Sequence, residues 1–558
     1  MREGRGIRIM ASHVIVVDAS TSAVKSYLFD LESGAAVGSA QTDIPMRVPE
    51  PGAAEVDSDL WWDGVCKTIS ELLDRHGGAG AADALALEAV AVTSQQISCV
   101  FLDGEGSPVA PAYLWMDTRC TEAIDRLRER CEAEGKGTDW IFETTGIPPS
   151  DSWGLAKLLW FRDRHPEAYG RIRRVASVDA FLLSRLSGRF VTDETNACFF
   201  HMDIRSRQPA YGLLRFLEAD PGLFPDIVPP GTVVGNVTAE AAKRTGLPAG
   251  LPVIAAASDQ PAALLGMGAV APGEAVVNLG TGTFFMTPLA SPVVDARMMT
   301  NISAVPGSWL MMGTHYLTGG AMSWLRDLLS FHGSVDPVAS GSPAASTPVS
   351  SPASSSDPAS ASSRSVSFEE LSRLAAGTEP GAEGLVFLPG LSGTGTPRWD
   401  PDARGLFAGL GLGHTAGHLA RAVMESTGYG IRSILGAFGE IGISFEKLII
   451  SGGPTSSEVW RQSLADILQR PLTLSSVREA TPLGAAMLAA VALGRFAEPA
   501  EAVRRWAGEQ TIVAPREEYR GTYDRMYAAY EAWSDAEAAV RRLGLGPQPK
   551  PGMERKEE

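Results

Sequence analysis

A buried strand, a short polar turn and a second buried strand occur twice in this chain, and this repeat constrains the fold more than any other feature. The first copy spans residues 13–30 and the second spans residues 275–289. Their turns read Asp-Ala-Ser-Thr-Ser at 18–22 and Gly-Thr-Gly-Thr at 280–283. Apolar, β-branched runs bounded by small polar residues are typical of strands. We therefore expect two domains of the same build.

The last third of the chain alternates predicted helices with predicted strands. In order, these are a helix at 415–438, a strand at 447–451, a helix at 456–468, a strand at 471–474 and a helix at 481–493. Such alternation is typical of layered α/β domains. The sequence therefore predicts the α/β fold class.

A second pair of strands is predicted in the first half of the chain. Residues 89–93 and 99–103 are apolar and flank the polar segment that contains Ser94, Gln95 and Gln96. We expect these two strands to pair with each other.

The length of the chain, 558 residues, is too great for one hydrophobic core. We expect an amino-terminal domain at 13–268, a carboxyl-terminal domain at 269–497 and a helical extension at 498–558. Residues 334–365 are rich in Ser, Ala and Pro. Such a segment cannot bury enough apolar surface to offset its ordering entropy, so we predict a disordered insertion in the second domain.

Composition and charge exclude several classes of protein. The formal net charge of −17 argues against a nucleic-acid partner, because phosphate backbones are bound by clustered Lys and Arg. The five Cys include no C-x-x-C pair, so neither a disulfide framework nor a zinc site is indicated. No stretch has the pattern of a membrane span or a signal peptide. These features predict a cytoplasmic protein without a membrane partner.

Seven stretches, in collinear order, carry a resemblance to a known family. They are DASTSAVKSYLFD at 18–30, PAYLWMDTR at 111–119, SVDAFLLSRLSG at 177–188, SDQPAALLGMGAVAPGEAVVNLGTGT at 258–283, FLPGLSGTGTPRWDPDARGLFAGL at 387–410, SGGPTSSEVWRQSLADIL at 451–468 and TPLGAAMLAA at 481–490. Together they resemble the FGGY carbohydrate kinase family over nearly the whole chain. The resemblance implies two actin-like (ribonuclease-H-like) domains with the active site in the cleft between them. It also implies ATP and Mg²⁺ as cofactors and a small sugar or polyol as substrate.

The resemblance also assigns candidate roles in nucleotide and metal binding. It implies that Asp18, at the end of a strand, holds Mg²⁺ through water. The residues expected to contact the nucleotide are Ser20, Thr21, Ser22, Gly280, Thr281, Gly452, Gly453 and Ser457. Glycine suits these turns because it lets the backbone approach a ligand closely. We expect Gly452 and Gly453 to face the adenosine because a side chain there would block it.

Asp259 is the candidate general base. A sugar hydroxyl becomes a good nucleophile only when its proton is accepted, and a positioned carboxylate can do this. The same residue could instead be the N-cap of a helix from Pro261 onward, and the two roles do not exclude each other. We expect Asp259 to meet Asp18 across the cleft, with the terminal phosphate of a nucleotide between them. The substrate pocket is expected to contain Gln95, Gln96, Trp153, Asp259 and Gln260.

Two departures from the family pattern leave an alternative open. Ser20 stands where the first phosphate turn usually has Gly, and Ser resists a positive φ. The segment 393–397 reads Gly-Thr-Gly-Thr-Pro, without the Arg of xylulokinase-like members. A non-catalytic sensor of the same fold, binding a sugar or a nucleotide, is therefore the alternative. An actin- or chaperone-like ATPase ranks last because it lacks the stretches at 111–119 and 258–266.

The exact substrate is left open by the residues after Gln95. Glycerol kinases in the family follow this Gln with Arg-Glu, whereas this chain has Gln96 and Ile97. An aliphatic side chain cannot replace a carboxylate acceptor, so glycerol is disfavoured and the class stays a linear polyol or a ketose. A homodimer is kept open as the assembly.

His414 and His418 are spaced for one helix face, which could suggest a metal pair. No third ligand is evident in the sequence. We therefore expect these two residues to lie at the start of a surface helix.

Overall fold

The computed structural model describes residues 12–77, 85–137, 139–150, 153–315, 317–330 and 366–545. The insertion predicted at 334–365 lies outside these ranges, as does the end of the predicted extension. The domain boundaries predicted from the sequence remain predictions.

The strands are short and most are buried. In chain order they are β1 (His13–Ala19), β2 (Ala23–Asp30), β3 (Ala36–Asp43), β4 (Glu55–Val56), β5 (Leu87–Ser94), β6 (Val100–Leu102), β7 (Ala112–Tyr113), β8 (Arg174–Ala176), β9 (Val191–Asp193), β10 (Met202–Asp203), β11 (Gln208–Pro209), β12 (Asp226–Val228), β13 (Thr232–Asn236), β14 (Pro252–Ser258), β15 (Glu274–Leu279), β16 (Thr283–Leu289), β17 (Met299–Ile302), β18 (Trp309–His315), β19 (Val386–Pro389), β20 (Gly405–Ala408), β21 (Lys447–Gly452), β22 (Leu472–Ser475) and β23 (Gln510–Val513).

The helices follow the same chain order. They are α1 (Asp59–Gly77), α2 (Thr121–Ala133), α3 (Asp139–Thr145), α4 (Gly154–Arg164), α5 (Pro166–Tyr169), α6 (Val178–Ser187), α7 (Glu194–Ala197), α8 (Tyr211–Phe216), α9 (Ala239–Thr245), α10 (Asp259–Gly266), α11 (Gly319–Leu329), α12 (Phe368–Ala376), α13 (Ala416–Glu440), α14 (Glu458–Leu468), α15 (Ala480–Ala492), α16 (Pro499–Trp506) and α17 (Arg520–Arg542). The helices and strands predicted for the last third are confirmed within a few residues. No helix within the described ranges is long and apolar enough to cross a membrane.

Two large mixed sheets organise the molecule. The first has six strands in the order β13-β14-β5-β1-β2-β3, and the second has seven in the order β17-β18-β16-β15-β21-β22-β23. In each, one strand of a hairpin also pairs in parallel with a later strand: β1 with β2 and β5, and β15 with β16 and β21. The repeated hairpin expected from the sequence is therefore confirmed.

The predicted pairing of residues 89–93 with 99–103 is wrong. β5 lies between β1 and β14 and is parallel to both. Both of its hydrogen-bonding edges are therefore occupied. β6 instead forms a small antiparallel sheet with β8. The apolar pattern identified both strands but carries no information about their partners.

Apolar packing covers both faces of the first sheet. On one face Val17 lies in a cluster with Trp61 and Phe181 from α1 and α6. On the other face Val16 lies in a cluster with Leu488 from α15. α15 therefore packs on the first sheet although the strands before it belong to the second. It thereby connects the two halves of the molecule.

α10 and α15 cross with backbone against backbone. A Cβ atom on Gly266 would lie 1.9 Å from the Ala480 carbonyl oxygen, and one on Gly484 would lie 1.9 Å from the Ala262 carbonyl oxygen. Real Cβ atoms do not approach so closely, so only glycine fits at either position. α10 begins at Asp259 and α15 contains the stretch at 481–490, so the crossing joins two stretches that carry the family resemblance.

Candidate active site

Asp18 and Asp259 come to the same edge of the first sheet. Asp18 is near the end of β1, and Asp259 directly follows β14 as the first residue of α10. β1, β5 and β14 are parallel, and Ser94 of β5 pairs with both Ala19 and Ser258. The carboxyl ends of the three strands therefore meet. The two carboxylates therefore lie close together, as expected, but at one edge of the first sheet and not on opposite sides of the cleft.

The Asp18 carboxylate has an unsatisfied oxygen. Its Oδ1 atom is buried and has no hydrogen-bond partner among the described residues. The pKa of Asp18 is raised to about 7, chiefly by burial and next by the negative charge of Asp259, while Lys25 opposes the shift. A buried carboxylate oxygen without a partner suits a cation or a water held by one.

Asp259 is also held in an unfavourable setting for a charge. Burial raises its pKa to about 6, and a hydrogen bond from the Gln260 N–H to Oδ1, 2.7 Å long, opposes the shift. The helix begins at Asp259, and its N-cap residue is Ser258. The interpretation of Asp259 as the N-cap is therefore wrong.

A cavity of about 140 Å³ adjoins Asp18. It is lined from the second sheet by Asn278, Ser451 and Gly452, and from the start of α15 by residues 478–482. β15 and β21 are parallel and pair Leu279 with Gly452, so their carboxyl ends also meet. The equivalent edges of the two sheets thus face one cavity.

The glycine-rich turns of the second sheet differ in why they need glycine. At Gly452 φ is 110°, and a Cβ atom would lie 1.8 Å from the Leu279 carbonyl oxygen. The fold itself therefore demands glycine there, with or without a bound adenosine, and contact between Gly452 and an adenosine remains a prediction. Gly453 has open space where a Cβ would lie. Gly280 and Thr281 are exposed, and the Thr281 carbonyl accepts from the Thr318 and Gly320 N–H groups.

The turn at 18–22 in the first sheet is stabilised by hydrogen bonds within the same segment of the chain. Ser20 donates from its N–H and from its hydroxyl to the Ala23 carbonyl, each at 2.9 Å, and its φ is not positive. Ser in place of Gly therefore causes no backbone strain here, contrary to the concern raised by the sequence. Thr21 donates to Gln95 Oε1 at 2.8 Å, and Ser22 is exposed.

The candidate substrate residues divide into two groups. Gln96 reaches the residue before Asp259, since its Nε2 donates to Ser258 Oγ at 2.8 Å. Gln260 has a buried Oε1 without a partner among the described residues. These two therefore lie with Asp259. In contrast, Gln95 Oε1 accepts from Thr21 and from Ser98, so it supports the turn.

Trp153 is packed in the protein core, although its Nε1 has no hydrogen-bond partner among the described residues, and Ser457 is hydrogen-bonded within the protein. Trp153 is 1% exposed and lies in a core cluster around α4. Ser457 is the N-cap of α14, accepting from the Trp460 N–H, and forms a 2.5 Å hydrogen bond with Ser372. Substrate contact by Trp153 and nucleotide contact by Ser457 remain predictions.

Sequence reasoning missed an acidic residue beside Asp18. Glu479 lines the same cavity, and its charge is among the causes that raise the pKa of Asp18. Tyr27 of the first sheet donates to Glu479 Oε2 at 2.9 Å. The available signal was its position, because Glu479 immediately precedes the helix that contains the stretch at 481–490.

The two His residues stabilise a helix start, as expected. His418 Nδ1 accepts from the Thr415 N–H at 3.1 Å in a capping box, and His414 Nδ1 accepts from the Gly411 N–H at 2.9 Å. Within the described ranges no group of three or more His, Cys, Asp or Glu side chains is arranged to hold a metal ion.

Comparison with known proteins agrees over most of the chain. The model of the amino-terminal domain of the FGGY family of carbohydrate kinases matches residues 13–266, and that of the carboxyl-terminal domain matches residues 275–493. A glycerol kinase of Trichlorobacter lovleyi is 30% identical over 543 residues, which is 94% of this chain and 99% of the relative.

Solved structures agree on the fold. The xylulose kinase from Rhodospirillum rubrum superposes with a TM-score of 0.80 at 29% identity, covering 95% of this chain and 99% of that one. The gluconate kinase from Lactobacillus acidophilus gives a TM-score of 0.81 at 23% identity, covering 96% and 100%, and shows the fold alone. The two expected actin-like domains are confirmed. The chain therefore belongs to the FGGY family of carbohydrate kinases.

Proposed function

We propose that this carbohydrate kinase transfers the γ-phosphoryl group of ATP to a hydroxyl of a small sugar or polyol, with Asp259 as the general base. The observation that carries the proposal is the position of Asp259 beside Asp18, which lines one cavity together with Asn278, Ser451 and Gly452 of the second sheet. Phosphoryl transfer depends mainly on positioning and charge stabilisation, which such a cleft can supply.

The role of Asp259 follows from its charge state. With a pKa of about 6, its carboxylate is mostly ionised at neutral pH and can accept a proton. As the substrate oxygen bonds to the γ-phosphorus and the bond to ADP breaks, the hydroxyl proton passes to Asp259. A carboxylate so placed contributes about 10²–10⁴-fold to the rate.

Asp18 is proposed to hold Mg²⁺, because its buried Oδ1 lacks a partner among the described residues. The ion, when bound, supplies positive charge that offsets the charge of the phosphoryl oxygens. We assign the phosphates of ATP to the exposed backbone of Gly280 and Thr281 and to the turn at 20–22. We assign the adenosine to the open space beside Gly453.

The proposed substrate class is based on Gln96 and Ile97, which follow β5. Gln96 supplies an amide, and the partly buried Ile97 supplies an aliphatic wall. This pair replaces the Arg-Glu expected in a glycerol kinase, so we propose a larger linear polyol or a ketose as substrate. The sensor alternative is not favoured, because Ser20 adopts an ordinary φ.

Turnover of a compound panel tests the proposed function. Purified protein with ATP and Mg²⁺ is offered glycerol, xylulose, gluconate and longer polyols. We expect ADP release and a phosphate monoester signal in ³¹P NMR to grow in equal amounts with at least one compound. Binding of a sugar without any monoester would instead support the sensor.

The pH dependence follows from the raised pKa values. As pH falls, Asp18 protonates near its pKa of about 7 and Asp259 near its pKa of about 6, and both groups act in their ionised form. Activity should therefore fall below about pH 7, whereas an ordinary carboxyl would sustain it to about pH 4.

The measurement is kcat/KM from about pH 5 to pH 9 at a fixed, subsaturating Mg²⁺ concentration, because bound Mg²⁺ would favour the ionised form of Asp18 and lower its pKa. Return to pH 7.5 after each incubation, with full recovery, controls for unfolding. Constant kcat/KM down to about pH 5 would contradict the assignment of these carboxylates.

A further inference from the structure

A buried chain of hydrogen bonds runs from Gln96 to Asp193. Gln96 Nε2 donates to Ser258 Oγ at 2.8 Å, and Ser258 Oγ donates to Thr195 Oγ1 at 2.9 Å. Thr195 Oγ1 in turn donates to Asp193 Oδ1. The chain therefore links a residue of the proposed pocket to a carboxylate at the end of β9.

The anchor of this chain is fully engaged. Asp193 Oδ1 also accepts from the Thr195 N–H at 2.8 Å, and its Oδ2 accepts from Asn196 Nδ2 at 2.8 Å. Thr195 Oγ1 accepts a second hydrogen bond, from the Ser258 N–H, at 2.7 Å. A single hydroxyl therefore holds both the side chain and the backbone of the residue before Asp259.

The direction of the chain is determined by its hydroxyl protons. Thr195 gives its only hydroxyl proton to Asp193, and Ser258 gives its own to Thr195, so Ser258 can only accept from Gln96. The amide of Gln96 must therefore turn Nε2 towards Ser258. Its Oε1 is then the atom of this amide that can accept a hydrogen bond from a ligand.

Burial makes the arrangement rigid. Thr195 and Ser258 are 0% exposed, Asp193 is 1% exposed and Gln96 is 8% exposed. A lost bond could not be replaced by bulk water, so each group strongly favours its present partner.

We propose that Thr195 is a positioning residue for phosphoryl transfer: through Ser258 it orients the Gln96 amide and holds the backbone that carries Asp259. The inference rests on the proposed function. It names the feature that the substrate must have, which is a hydroxyl that donates to Gln96 Oε1 while a second hydroxyl approaches Asp259.

Thr192 provides a matched control. It is also 0% exposed, and it donates to a different buried carboxylate, Asp179 Oδ2, at 2.8 Å. Its hydroxyl shares a hydrogen bond with Ser177 and does not reach Ser258. Thr192→Val thus removes the same kind of bond at the same depth without breaking the chain.

Thr195→Val is expected to lower kcat/KM for the sugar or polyol by about 10²-fold, as misplacement of reacting groups by about 1 Å does. The Kd of an ATP analogue should stay within about twofold, because the proposed nucleotide contacts lie elsewhere. Thr195→Ser should recover activity to within about fivefold, since it keeps the hydroxyl. Thr192→Val should retain kcat/KM within about threefold.

Ser258→Ala separates the two roles of Thr195. It keeps the backbone bond to Thr195 and removes only the link to Gln96. We expect the KM of the substrate to rise by about tenfold with a smaller change in kcat, because only orientation of the bound hydroxyl is lost.

Equal losses in Thr195→Val and Thr192→Val, or full activity of a folded Thr195→Val, would overturn the inference. So would an unchanged KM in Ser258→Ala, whose small substitution keeps the test open if Thr195→Val does not fold. Failure of the proposed function would look different, because the unaltered protein would phosphorylate no compound.

Discussion

Asp259→Asn is expected to reduce phosphorylation by about 10²–10⁴-fold while the Kd of an ATP analogue changes by less than about twofold. Asn has nearly the shape of Asp but cannot accept the hydroxyl proton. The nucleotide, which we propose is bound mainly by the second sheet, should not sense the change. The measurement is kcat and KM by coupled ADP release, together with the Kd of the analogue by calorimetry.

Stability provides the control for this variant. A pKa raised from 3.8 to about 6 means that the ionised carboxylate is less favourable in the folded than in the unfolded chain. The stability that the protonated carboxyl contributes to the folded chain is therefore fully present below about pH 3.8, and it is lost as pH rises through about 6. Asp259→Asn should therefore melt at or above the wild-type temperature at pH 8. Asp327→Asn, at an exposed position, should change neither the phosphorylation rate nor the melting temperature. Retained activity in Asp259→Asn would contradict the general-base role.

Gly484→Ala is expected to destabilise the protein by about 3 kcal/mol or more. The added methyl would lie 1.9 Å from the Ala262 carbonyl oxygen, so α10 and α15 would have to separate. Because α10 begins with Asp259 and α15 joins the two halves of the molecule, activity should fall as well. The measurement is the denaturation midpoint in urea, followed by tryptophan fluorescence.

Gly436→Ala is the matched control for the helix crossing. Gly436 lies within α13, and a Cβ there would meet nothing within 4 Å apart from its chain neighbours and the nearby backbone of its own helix. Ala is the better helix former, so this variant should gain about 0.5–1 kcal/mol. Similar midpoints for the two variants would show that the crossing tolerates a side chain.

Local pattern was enough to predict the repeated hairpin and the helices of the last third of the chain. The turns at 18–22 and 280–283 were identified because alternation between apolar strands and small polar residues is encoded within a few positions. β5 and β21, which pair in parallel with the first strand of each hairpin, were identified for the same reason. These elements place Asp18 and the Gly280 turn at strand ends, which is what the candidate site requires.

Partner choice was not predictable, because it depends on residues far apart in the chain. β5 pairs with β1 and β14 and not with β6, and this order brings Asp259 to the same edge as Asp18. The contact between Tyr27 and Glu479 joins residues from opposite ends of the chain. Gly452 shows a related limit, since a glycine required by its neighbour Leu279 looks the same in sequence as one required by a ligand.

The most direct test is a crystal structure with Mg²⁺, a non-hydrolysable ATP analogue and the compound that the enzyme phosphorylates. We expect one hydroxyl oxygen of the compound within about 3 Å of the Asp259 carboxylate. The terminal phosphate of the analogue should lie between that hydroxyl and the Gly280 turn. A hydroxyl remote from Asp259, or phosphates bound away from Asp18 and this turn, would contradict the account.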